Sequence, residues 1–210
     1  MHEVHVGFLN YVKHAHAHLG HEPDAWRLAH LMRLDVIPGH ENALLGRTIT
    51  LRSEDRYSNR APIVLRHEIA HYLLQLSGAE SEIHRLQGSH EAGLPTVEML
   101  CYHAALILQI PGPVLVTAQA ELGNTPQAIV RIAALSGAPV VDSLHRWVYA
   151  EVGAKRAAWV ARGELITHAA SANCWLPFWR YAEVPDVLEE VPNAVLLPVG
   201  PRCVLGVVSW

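Results

Sequence analysis

Cysteine is scarce: Cys101, Cys174 and Cys203 are the only three in 210 residues. So few, so widely scattered, they exclude a disulfide framework and a cysteine-rich zinc module. Charge is sparse too, at 17% of residues, and the balance of -4 excludes a chain built around a polyanion. No apolar run approaches the ~18 residues of a membrane span, so no membrane partner is expected. The N-terminal stretch carries histidines where a signal peptide needs an apolar segment, which makes a cytoplasmic location the expectation. Apolar residues are plentiful, at 50% enough for a proper core and too many for disorder. So is histidine: 15 residues, eight of them in the first 40. They read either as a solvated face or as metal ligands, neutral imidazole being the commonest of these. Spacing has to decide.

Along the chain, residues 2–19 show a partial apolar stripe at helical spacing, and a second helix is expected over 23–34. Residues 47–52 alternate with period two and predict a strand, followed by a polar loop over 53–59. A strong helix is predicted over 59–77, with Pro62 in its first turn and Gly78 at its end. Residues 79–93 are polar and expected to flank a site. Further helices are predicted over 96–109, 114–122, 125–136 and 140–150, and strands over 175–181, 193–199 and 202–209.

The strong helix contains His67-Glu68-Ile69-Ala70-His71, the pattern H-E-x-x-H. Four residues along an α-helix is about one turn, so both imidazoles share a face and can hold a zinc ion at about 2.0–2.1 Å. Glu68, rotated around the helix from His67, can reach a water and serve as general base. A catalytic zinc still needs a third protein ligand. Glu80, Glu82, His84, His90, Glu91, Glu98 and His103 are the candidates downstream. Six residues after His71 stands Ser77 rather than a histidine, so the extended three-histidine pattern is absent. A glutamate from a second helix is the other arrangement, and Glu98 suits it, opening the next predicted helix ahead of an apolar run.

These segments carry a resemblance. Residues 60–74, together with Val97-Glu98-Met99-Leu100-Cys101 and the run Ala104-Ala105-Leu106-Ile107-Leu108 ending at Pro111, resemble the ImmA/IrrE metallopeptidases, closest to the radiation-response branch. The resemblance spans about residues 25–150. It implies His67, His71 and Glu98 as metal ligands and Glu68 as catalytic base, with one Zn2+ per chain and Mn2+ as the possible replacement. With the predicted elements it implies an α+β fold: a zincin-like, mainly helical peptidase domain over 1–112 with a short sheet and an HTH-like helical region over 113–162, to which the strand pattern beyond 163 adds a small C-terminal α/β or β-rich module over 163–210. It also implies a regulatory endopeptidase that cleaves a protein substrate, a DNA-bound transcriptional repressor, in a stress or mobile-element response. Tyr102 stands where the family has asparagine. Its expected role is packing; orienting Glu98 or donating to the transition state is the alternative. His103 is a second candidate for that role.

The strand over 47–52 is the expected template for an extended substrate. Ala133-Ala134-Leu135-Ser136-Gly137 suggests a helix-turn-helix, yet residues 127–162 hold few cations, so direct nucleic-acid contact is not expected. Trp175, Trp179 and Trp210 either line a pocket or fill a core, and Cys174 and Cys203 are placed facing each other across strands. Two other readings stay open: a non-catalytic regulator with a structural metal, and a second metal site at His14, His16, His18 and His21.

Overall fold

A computed structural model describes residues 2–210. The fold is mixed α+β, with ten helices and two small sheets among the described residues. The chain divides into two compact units, Met1–Pro111 and Gly112–Trp210.

The first unit begins with α1 (His2–His18) and α2 (Ala25–Leu31). Asp24 caps α2 by accepting a hydrogen bond from the Arg27 amide at 2.7 Å. Three short strands follow: β1 (Asp35–Gly39), β2 (Ala43–Leu45) and β3 (Thr48–Arg52). Their spatial order is β1-β3-β2, with β3 parallel to β1 and antiparallel to β2. The expected substrate template, β3, is therefore the central strand, with both edges already paired. The edges belong to β1 and β2, and the three residues of β2 are too few to show an alternating pattern.

The predicted polar loop contains one helical turn, α3 (Ser53–Arg56). Then come α4 (Ala61–Leu76), with Pro62 in its first turn, α5 (Ala79–Gln87) and α6 (His90–Gln109). The polar stretch 79–93 is thus mostly helical, and α6 starts six residues earlier than expected, with Ser89 capping it through the Ala92 amide. Pro95 removes a single backbone hydrogen bond in the second turn, and α6 runs through it. Gly88, at φ +85°, supplies the left-handed residue between the two helices.

Phe8 and Val12 of α1, Leu28 of α2, Ile49 and Leu51 of β3, Leu65, Ile69 and Leu73 of α4 and Leu100 of α6 form one buried cluster. His16 is buried beside it, whereas His14 and His18 are exposed, so the four N-terminal histidines do not share a surface. Removing α1 would strip this core.

The second unit contains α7 (Gly112–Leu122), α8 (Pro126–Ser136) and α9 (Val140–Val148), then β4 (Arg156–Arg162), β5 (Leu165–Ala172), α10 (Val187–Glu190), β6 (Val195–Gly200) and β7 (Cys203–Ser209). The antiparallel sheet has the order β5-β4-β7-β6. Its sheet thus begins at 156, inside the region expected to be helical, and a boundary at 163 would cut between paired strands. Helices α8 and α9 meet at 117°, within the range of helix-turn-helix motifs. None of the residues of α9 is exposed, however, and Arg146 and Trp147 lie in the interior.

Residues 175–181 form a loop rather than a strand, and Trp175, Trp179 and Trp210 are exposed. The buried indoles are Trp147 and Trp159; the latter packs edge-on against Phe178, with ring centroids 5.3 Å apart. Cys174 donates to the Arg156 carbonyl at one end of β4, while Cys203 pairs with Arg162 at the other end. That is about 20 Å of strand, so the two thiols do not face each other. No single helix among the described residues is long and apolar enough to cross a membrane.

Candidate metal centre

More than half of α4 is committed to the interior. Leu65, Ile69, Leu73 and Leu74 are buried, and Ala70 with them, which fixes the helix on its axis. The remaining stripe, at one-turn spacing, carries His67, His71 and Gln75. These face a cleft lined also by Asn42, Ala43 and Leu44 beside β2, by Glu68, and by Glu98 from α6.

The donors converge. The Nε2 atoms of His67 and His71 lie 3.1 Å apart, Glu98 Oε2 is 3.2 Å from His67 Nε2, and Glu98 Oε1 is 3.5 Å from His71 Nε2. Ligands at 2.0–2.2 Å around a tetrahedral zinc are separated by about 3.3–3.6 Å, so the three separations, at 3.1, 3.2 and 3.5 Å, come within about 0.2 Å of the donor spacing of such a site. The donor types match as well: two imidazoles and a carboxylate suit a borderline divalent ion. Among the described residues, this is the group of three or more His, Cys, Asp or Glu side chains whose ligand atoms all lie within 4.8 Å of one another. Glu98 is 56% exposed, so water reaches the centre from its side.

Burial first, and then the neighbouring charge of His67, lower the pKa of His71 and favour the neutral ring that a metal requires. Glu68 is buried at 6% exposure. Desolvation first, and then the charge of Glu98, push its carboxyl up to about 7. Burial likewise raises the Cys101 thiol, which keeps it protonated behind the centre.

No protein-family model and no curated protein matches the chain.

The other third-ligand candidates lie elsewhere. Glu82 is bound to Arg85 at 2.6 Å, His84 pairs with His90 and Glu80, and Glu91 is exposed. Tyr102 and His103 contact each other, with ring centroids 5.6 Å apart, and neither belongs to the cleft lining; Tyr102 is exposed.

Sequence reasoning missed the β2 side of the cleft. Asn42 accepts from the Arg52 amide at 2.8 Å and donates to Asp55 Oδ2 at 2.7 Å, and Asp55 also accepts from Arg52 Nη2 at 2.8 Å. This network pins the residue that leads into the edge strand, and no local pattern signals it. Gln75 was reachable by extending the i, i+4 stripe one turn.

Proposed function

We propose that the chain is a metal-dependent endopeptidase of the ImmA/IrrE, zincin-like type. Its substrate would be a protein, a transcriptional repressor cleaved in a stress or mobile-element response, and its setting the cytoplasm. The convergence of His67, His71 and Glu98 at 3.1–3.5 Å, with the buried carboxylate of Glu68 beside it, carries this reading. Those three residues would hold Zn2+, or Mn2+ in its place. A divalent ion in such a site supplies Lewis acidity, polarising a carbonyl and acidifying water.

The protein's own groups do the rest. A carboxylate oxygen of Glu68 takes a proton from the attacking water and delivers it to the departing amine nitrogen. The unpaired edge of β2, alongside the cleft, offers backbone N–H and C=O groups to an extended segment of substrate. A folded strand has those groups engaged already, so cleavage is confined to a flexible or locally unfolded segment. Asn42, tied to Arg52 and Asp55, holds the lead-in to that edge. Tyr102 and His103 are assigned no part in the reaction.

The test is incubation of the protein with repressors encoded beside its gene, with and without chelator, and mapping of any cut by mass spectrometry. A chelator-sensitive cut within an extended segment supports the reading. The competing reading, a regulator with a purely structural metal, has no use for a buried carboxylate at Glu68; it would stand if Glu68→Gln changed nothing in target processing.

A further inference from the structure

We propose that Glu80, His84 and His90 form a second site for a divalent transition metal, one that clamps α5 to the start of α6. His84 Nε2 lies 3.1 Å from His90 Nδ1, the same spacing as between the two imidazoles of the first centre, and the ring centroids are 4.3 Å apart. Glu80, one turn before His84 on α5, places Oε1 3.8 Å from the same Nε2. The ligand atoms of Glu80 and His90 do not lie within 4.8 Å of each other, so the Glu80 side chain has to rotate toward His90 before the three donors surround one ion.

The backbone holds His84 in the required pose. Its ring lies against α6 at Gly93, where any Cβ would collide with the imidazole. Nδ1 is buried there with no hydrogen-bond partner, so Nε2 is the nitrogen presented outward. His90, the first residue of α6, is exposed and closes over it from across the turn at Gly88 and Ser89. Two imidazoles and one carboxylate, open to solvent, select ions of the Zn2+, Co2+ and Ni2+ kind over Mg2+ or Ca2+. When Nε2 ligates, the proton of His84 resides on Nδ1 and faces Gly93 without an acceptor. Metal-binding imidazoles normally donate that proton, so this second centre binds more weakly than the first. The inference concerns metal binding alone and does not depend on the peptidase reading.

Equilibrium dialysis of the full chain against Zn2+, repeated with Co2+, tests it. The wild type is expected to hold two equivalents, His90→Ala and His71→Ala one each, and the double variant neither. Background binding by the exposed His14 and His18 is common to all four proteins and cancels in the differences. His90 is at the surface, so its replacement leaves the core intact. As a second measurement, Zn2+ should raise the melting temperature of His71→Ala but not of the double variant. Equal stoichiometry for His90→Ala and wild type, or no ion bound by His71→Ala beyond the double variant, would overturn the proposal.

Discussion

Glu68 illustrates how one side chain depends on its surroundings. A carboxylate one position along from His67 is rotated away from the ligand stripe of α4, and burial then sets its proton affinity. Glu68→Gln keeps the size and removes the proposed base. The expected result is full metal content by mass spectrometry with a loss of about 10²–10⁴ in the rate of target cleavage, the usual weight of general-base catalysis. Asp55 offers a test of a different kind. Hydrogen bonds from Asn42 first and Arg52 second hold its carboxyl below the ordinary aspartate value. In the unfolded chain the group titrates near 3.9. Its stabilising contribution is therefore present above that pH and is lost as pH falls through the lower, folded value. Asp55→Asn should flatten the stability profile below about pH 4 and lower stability at neutral pH, as measured by denaturant unfolding across a pH series. An unchanged acid limb would show that Asp55 is not held in this way.

Elements impose the next constraint, and here local signals were unevenly legible. H-E-x-x-H sits on a helix whose apolar pattern is dense, so α4 and its histidine pair could be read directly; nine of its 16 residues are buried. β2 could not, because three residues show no period and its edge position follows from how β3 pairs on both sides. β4 and β5 were hidden for another reason: Ala157, Ala158, Ala161, Ala169, Ala170 and Ala172 are small residues with weak strand preference, and cross-strand partners supply what the local sequence lacks. Trp159 needs such a partner. Its indole lies over Gly206 on β7, where a Cβ would strike the ring. Gly206→Ala should overpack this contact and destabilise the second unit by about 1–3 kcal/mol, visible as a lower denaturant midpoint.

Over the whole chain, a metal ion held at the proposed centre would be the largest energetic lever at hand. An ion that binds only the folded first unit adds RT ln(1 + [L]/Kd), about 4 kcal/mol when its free concentration is a thousandfold above Kd. Chelation should therefore abolish cleavage and lower the melting temperature, and the drop on chelation should be smaller for His71→Ala than for the wild type; calorimetry with and without chelator checks both. Motif residues His67, Glu68 and His71 were determined by sequence alone, because i, i+4 geometry is a property of one helix and needs no partner. Glu98, 27 residues beyond His71, was one of several downstream candidates, favoured by its place at the start of a predicted helix and chosen through a resemblance. Its arrival at 3.2 Å from His67 is decided by how α6 packs on α4, through Leu100, Ala104 and the Leu65–Ile69–Leu73 face, which no local pattern encodes. The β2 edge, the Asn42–Asp55 tie and the pairing of His84 with His90 belong to the same class. Each joins atoms that only packing between elements brings within 4 Å, whereas a helical period is written into adjacent residues.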